Sequence, residues 1–255
     1  MEAMVRHAPN TDRLRVLRGW ALSRAASTPI VTRRMRSPWL GIPLPEYEGH
    51  MSLPTVGQAE LLADEFAKLL AEYAPPTVAV VGCAGGNGFD RIPVASTSRV
   101  VGIDVNPAYI ATASRRFAAR IPGLELYAAD IQRGGLSVER VDLIYAALVF
   151  EYVELEPTLH NLALLCKRHG ILGTLLQLPS RSVPAVTPSP FASLQALASS
   201  MKLVPPETLV AQAAKAGFAL LSSHRVLLPS RKEFAVQIFR LRAVDASSKR
   251  TSRGR

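Results

Sequence analysis

Val78-Ala-Val-Val-Gly82-Cys83-Ala84-Gly85-Gly86-Asn87-Gly88-Phe89-Asp90 is the stretch that decides the fold. Four apolar residues stop abruptly at a loop that holds four glycines in seven positions. A loop of that kind turns sharply and lets a ligand approach backbone where a Cβ would stand in the way. Polar residues follow it and apolar ones then return, which predicts a strand–loop–helix unit. The amides opening that helix would face the ligand with partial positive charge. This is the entrance to a nucleotide- or nucleoside-binding α/β domain.

Three further apolar segments follow at the intervals such a domain needs. Arg99-Val-Val-Gly-Ile-Asp104 is a second short strand, and it ends in a carboxylate 22 positions after Gly82. An acid at that offset can accept hydrogen bonds from both ribose hydroxyls. Leu124-Glu-Leu-Tyr-Ala-Ala-Asp130-Ile131 ends in another carboxylate beside an apolar residue, and Val141-Asp-Leu-Ile-Tyr-Ala-Ala147 alternates as a strand does. A glycine loop alone also serves plain turns; the order of these strand ends gives this one its meaning.

Taken together, these residues make the chain similar to the class I S-adenosylmethionine-dependent methyltransferases over about Val78 to Leu241, with a family-like helix from about Gly57. Val-Val-Gly-Cys-Ala-Gly-Gly-Asn-Gly resembles their glycine-rich motif, and Gly-Ile-Asp104-Val-Asn-Pro the acidic end of the second strand. Ala-Ala-Asp130-Ile131 resembles the adenine-binding motif. Val-Asp142-Leu-Ile-Tyr-Ala-Ala-Leu-Val-Phe-Glu-Tyr-Val is similar to the fourth-strand segment that leads to the active site. Leu165-Cys-Lys-Arg-His-Gly170 is similar to the turn before the fifth strand, with His169 where proline is usual. The chain departs from the family at Val80, where an acid usually stands two residues before the first glycine.

The resemblance implies a Rossmann-like, doubly wound α/β sheet of seven strands, mostly parallel with an antiparallel last strand. It implies S-adenosyl-L-methionine as cofactor, held by Gly82, Cys83, Ala84, Gly86, Asn87 and Gly88 around the methionine moiety. Asp104, Val105 and Asn106 would lie by the ribose, Asp130 and Ile131 by the adenine, and Ala146 at the end of the fourth strand. For Asp130 a plain turn or capping role is the competing expectation.

Composition bounds the rest. A chain of 255 residues, 48% hydrophobic, can build one large α/β core. No apolar run is long enough to span a bilayer, and no signal-peptide pattern opens the chain. Cys83 and Cys166 are too few for a disulfide framework or metal cluster, so reduced thiols in a cytoplasmic protein without a metal are expected. The net charge of +10 is carried at the ends. Residues 1–37 hold eight arginines and two acids, and residues 240–255 six basic groups and one acid. Residues 38–239 hold sixteen basic and seventeen acidic groups. The core is thus nearly neutral, and nucleic acid would be met through the basic tails, by phosphate attraction alone.

Four segments are expected: a flexible basic extension over 1–37, a Pro/aromatic lid over 38–56, the methyltransferase domain over 57–241 and a disordered basic tail over 242–255. Within the first, Asp12–Arg24 has the pattern of a short amphipathic helix. Trp39, Tyr47 and Met51 would be out of place in a solvated linker, which suggests that 38–56 folds over the cleft with Tyr47, Glu48 and His50 lining it. Helices are expected over Gln58–Tyr73, Pro107–Arg120, Pro157–His169, Phe191–Met201 and Pro205–Ala216. A strand is expected over Ile171–Leu178, and Phe218–Leu228 with Glu233–Leu241 reads as a closing hairpin. Arg115, Arg116 and Arg120 read as a solvated helix face.

Methyl transfer from a sulfonium asks the protein to position an acceptor and exclude water, with a base only where the acceptor must lose a proton. Acceptor-side candidates are Tyr47, His50, Tyr145, Glu151 and Tyr152; for Tyr145 simple packing competes, and Gln177 is a further polar strand end. No Asn-Pro-Pro-Tyr or Asp-Pro-Pro-Tyr closes the fourth strand, which sets aside methylation of bases and glutamine. The expected function is methylation of an oxygen or nitrogen of a small-molecule acceptor. Two readings stay open beside it: an RNA or protein methyltransferase docked by the tails, and a non-catalytic cofactor-binding scaffold suggested by Val80. A nicotinamide oxidoreductase would show Gly-x-Gly-x-x-Gly, which this loop lacks in every register.

Overall fold

The computed structural model describes residues 37–243. The expected Asp12–Arg24 helix and nearly all of both basic ends lie outside the described residues. Seven strands form one sheet: β1 (Thr77–Val81), β2 (Arg99–Asp104), β3 (Leu124–Ala128), β4 (Val141–Ala147), β5 (Cys166–Gln177), β6 (Phe218–Leu227) and β7 (Glu233–Leu241). Their order is β3-β2-β1-β4-β5-β7-β6. The pairs among β1 to β5 are parallel, and β7 runs antiparallel to both β5 and β6. The helices are α1 (Leu44–Ser52), α2 (Gln58–Tyr73), α3 (Pro107–Phe117), α4 (Leu155–Leu165) and α5 (Pro206–Lys215). This is the doubly wound, mostly parallel sheet that the resemblance implies.

The alternation within β1 shows why both faces are covered. Val78 and Val80 pack with Phe66, Leu69 and Leu70 of α2 and Phe117 of α3 on one face. Ala79 and Val81 pack with Leu159 and Leu162 of α4 and Leu209 of α5 on the other. A parallel strand buried on both sides has to read as a continuous apolar run, as this one does. From β1 the chain winds to β2 on one side and later to β4 on the other. The crevice outside the carboxyl ends of β1 and β4 is therefore a topological switch point, where open α/β sheets bind ligands.

Three expected elements differ. No long helix follows the glycine loop: a single 3-10 turn, Phe89–Arg91, ends before Pro93, which cannot continue the hydrogen-bond ladder. The helix-dipole argument for the loop is lost with it. The helix expected over Pro157–His169 spans Leu155–Leu165 instead, and β5 already begins at Cys166, paired with Val141. Cys166 is thus a strand residue. His169 takes a left-handed φ of 62°, and the register slips between Val141 and Leu143. Asp142 fastens this irregular start, because its carboxylate accepts from Thr77 Oγ1 (2.6 Å) and Lys167 Nζ (2.9 Å). Residues 192–197 form a 3-10 helix rather than an α-helix.

The 38–56 segment is ordered as a 3-10 turn, Pro38–Gly41, followed by α1. Side chains fasten it to the sheet's carboxyl edge. Asn106 Nδ2 donates to the Trp39 carbonyl (2.9 Å), and Tyr109 Oη donates to the Ile42 carbonyl (2.9 Å). Arg116 of α3 makes a two-pronged ion pair with Glu48, so this arginine is not simply a solvated residue.

Candidate active site

The glycine loop and Asp104 are folded around each other. Gly82, Ala84, Gly86 and Gly88 all take positive φ, between 46° and 103°. Gly86 has no alternative, since a Cβ there would overlap the Phe117 ring. The left-handed turn at Ala84 aims its N–H at Asp104 Oδ2 (2.9 Å), while the Asn106 N–H donates to Oδ1 (2.8 Å). Burial pushes the Asp104 carboxyl above its usual range, and these N–H groups pull it partly back. Each carboxylate oxygen keeps lone-pair capacity beyond its one backbone donor, as ribose hydroxyls require.

A cleft of about 1130 Å³, counting open solvent at its mouth, lies over the ends of β1, β2, β4 and β5. Of the residues assigned above to a cofactor, Gly82, Ala84, Asp104, Val105, Asp130 and Ile131 line it. The others do not. Gly86, Asn87 and Gly88 face a second cavity between the loop and α2. Cys83 is buried beneath the loop, and burial with the nearby Asp104 charge pushes its thiol well up. Asn106 caps α3 through its Oδ1 (3.0 Å to the Ala108 N–H). Ala146 points into the core and its neighbour Ala147 reaches the cleft, as the alternation of a strand demands. Asp130 does both things expected of it: it lines the cleft and caps the following 3-10 turn through Gln132 N–H (3.1 Å).

Of the acceptor-side candidates, Tyr47, His50 and Tyr152 line the cleft, with Trp39 set edge-on between the two tyrosines at 5.6 and 5.0 Å between centroids. Glu48 is turned to Arg116 instead. Tyr145 lies on the opposite face of the sheet, stacked on Phe66, and its hydroxyl donates to the Leu62 carbonyl (2.8 Å). Glu151 is buried behind the cleft wall. It accepts the Gln177 N–H at Oε1 (2.8 Å), leaves Oε2 without a partner, and is pushed by burial up to about 7. Its position is that of a support rather than a surface of the cleft.

The far wall holds two residues the sequence reading did not single out, Gln58 and Lys232, beside Gln177. Gln58 looked like the first residue of an ordinary helix, and Lys232 like one charge of a polar hairpin turn. The signal for Lys232 is topological: β7 runs antiparallel beside β5, so the residue just before β7 comes to the carboxyl edge. His50 is buried, its Nδ1 is 2.9 Å from Ser189 Oγ, and burial with the Lys232 charge lowers its basicity. Its ring is therefore neutral at pH 7.

Residues 78–170 match the family described as a methyltransferase domain. No curated protein matches the sequence. Among solved structures, the fold is similar to the N-methyltransferase NodS from Bradyrhizobium japonicum WM9 in complex with S-adenosyl-l-homocysteine. That pair shares 20% identity over 78% of this chain and 88% of that one, with a TM-score of 0.53. It is also similar to the magnesium protoporphyrin IX methyltransferase ChlM from Synechocystis PCC 6803 with bound SAH, at 12% identity over 82% and 98% of the two chains, TM-score 0.60. Over residues 78–170 the chain thus matches a methyltransferase domain, and its fold is similar to those of methyltransferases that hold S-adenosylhomocysteine.

Proposed function

We propose that this enzyme transfers the methyl group of S-adenosylmethionine to an oxygen or nitrogen of a small organic acceptor held beneath a roof made of two segments. The observation that carries this reading is enclosure. Residues 38–56 are fastened to α3 and the glycine loop, and residues 185–201 close over them. Glu46 accepts from Ser193 Oγ (2.6 Å), and the Phe191 ring packs so tightly on Gly49 that no Cβ would fit there. A polymer would need an open groove, and the core that surrounds the cleft carries almost no net charge. Two similar structures accord with this reading: NodS is an N-methyltransferase in complex with S-adenosyl-l-homocysteine, and ChlM is a magnesium protoporphyrin IX methyltransferase with bound SAH.

In this reading Asp104 takes the ribose hydroxyls, Asp130 and Ile131 flank the adenine, and Gly82 and Ala84 border the methionine moiety. The cofactor supplies an electrophilic methyl group when bound. The protein's own part is to orient the acceptor, keep water out and receive a proton where one is released. Neutral, buried His50 is the lining residue suited to receive it. Tyr47 and Tyr152 are not, because burial raises both phenols and keeps them protonated.

Thermal shift tests the reading. S-Adenosylhomocysteine at about 100 times its dissociation constant stabilises by about 2.7 kcal/mol, and NAD does not. Asp104→Ala is expected to abolish the shift while the protein stays folded. A wild-type protein that responds to neither ligand would overturn the reading in favour of a scaffold.

A further inference from the structure

The cleft is electrically lopsided. Its lining carries carboxylates only at Asp104 and Asp130, at the ends of β2 and beyond β3, and its one lysine, Lys232, stands by the end of β5. Three strand intervals separate β2 from β5, about 14 Å. Lys232 is 2% exposed. Its Nζ donates to the Ala185 carbonyl (2.7 Å) and to Gln177 Oε1 (3.4 Å), two neutral acceptors. Among the described residues no carboxylate lies within 4.0 Å of it; its chain neighbour Glu233 is paired with Arg225. Burial without a counter-charge pulls Lys232 down to about 8. A desolvated ammonium with no anion beside it is costly to the fold, and it persists where something else supplies the opposite charge.

The surrounding groups are arranged to keep that charge facing the cleft. The Gln177 amide is fixed by donation from its Nε2 to the Ala185 carbonyl (2.9 Å), which turns Oε1 toward both Lys232 and Gln58 Nε2 (3.4 Å). An ammonium has three hydrogens and an amide nitrogen two. Each donor therefore retains one hydrogen after these bonds are made, on side chains that line the same wall. Beside them the 185–201 segment presents Val186, Leu194, Leu197 and Met201, and Trp39 and Tyr152 stand edge-on in the same cleft.

We propose that Lys232 and Gln58 form an anion-binding subsite, so that the acceptor is an apolar, ring-sized molecule bearing a carboxylate. This rests on the methyltransferase reading above and narrows its acceptor class. A single cation flanked by neutral amide donors matches a monoanion. A phosphate ester would bring a second charge with nothing opposite it. Lys232 is a positioning residue here: it anchors the acceptor by its carboxylate.

The test uses the full-length protein saturated with S-adenosylhomocysteine. Benzoate, 2-naphthoate and indole-3-carboxylate, each paired with its carboxamide, are titrated calorimetrically. At least one carboxylate is expected to bind tenfold or more tighter than its amide, since a charge-assisted hydrogen bond is at stake. Lys232→Met should remove that preference and leave the amides unaffected, and Lys232→Arg should retain it. Affinity for S-adenosylhomocysteine should be unchanged in both. Should Lys232→Met fail to fold, Lys232→Gln takes its place. A panel in which no carboxylate beats its amide, or a preference that survives neutralisation of Lys232, would overturn the proposal with cofactor binding intact. Loss of S-adenosylhomocysteine binding by the wild type would instead strike the methyltransferase reading on which it stands.

Discussion

At the Asp104 end of the cleft, the two carboxylates follow the ends of neighbouring parallel strands, and each accepts from a backbone amide two residues on. At the Lys232 end, Gln58, Gln177 and Lys232 come from the start of a helix, the end of β5 and a hairpin turn, and they satisfy one another through side chains. The first end is made by local geometry repeated strand after strand. The second exists only once the sheet is complete, because the antiparallel β7 must be in place before Lys232 reaches the cleft. A site of the first kind is rigid and general, and one of the second kind is free to vary with the acceptor. The Asp104 end is therefore expected to tolerate little change of shape, and the Lys232 end to respond mainly to changes of charge.

The sharpest way to break that contrast is Gly86→Ala. Overlap with Phe117 and a φ of 103° together should cost about 4 kcal/mol in urea unfolding. Gly135→Ala serves as control, because it has a positive φ but open space around it, and should cost about 1 kcal/mol. Equal effects would mean that the loop is not tightly packed after all.

Next in size is Glu151→Gln, beneath the acceptor wall. Burial raises this carboxyl from 4.5 to about 7 in the folded protein. Its contribution to stability is then fully present below about pH 4.5 and lost as pH rises through 7, to the extent of about 3 kcal/mol. Glutamine can still accept the Gln177 N–H and has nothing to ionise. The variant should match the wild type at pH 5 and exceed it at pH 8.5; parallel pH–stability curves would show that Glu151 is not held protonated by the fold.

The smallest effect is expected for Arg116→Met, which removes the ion pair to Glu48 of the roof. Both side chains are partly exposed, so the loss in stability should stay below about 1 kcal/mol. A larger drop in melting temperature would mean that this pair, rather than the buried Asn106 and Tyr109 bonds, holds the roof down.

The same contrast explains what could be read from the chain. β1, β2, β4 and α2 were legible because an apolar run that stops at glycine or a carboxylate has few other meanings. The place of Asp104, at the end of β2 and on the cleft, followed from the apolar run before it and its offset from the glycine loop. The β5 start was misplaced because Leu155, Leu159, Leu162 and Leu165 continue visually into Cys166, and only pairing with Val141 ends the helix. Tyr145 packs against α2, as its competing reading had it, whereas Ala146 turned out to face the core and its neighbour Ala147 the cleft, because the sequence of a strand does not say which of its alternating faces is which. Lys232 could not be read at all: a lysine in a turn is ordinary until a strand whose end lies 55 residues earlier runs past it in the opposite direction.

Both thiols are buried, one beneath the glycine loop and one where β5 begins, and burial raises each of them, Cys166 to about 12. Thiols react as thiolates, so burial and the raised pKa both disfavour oxidation or alkylation of either one. With S-adenosylmethionine bound as proposed, beside Gly82 and Ala84, the soft nucleophile between them would stay protonated and buried, and would not compete with the acceptor for the methyl group.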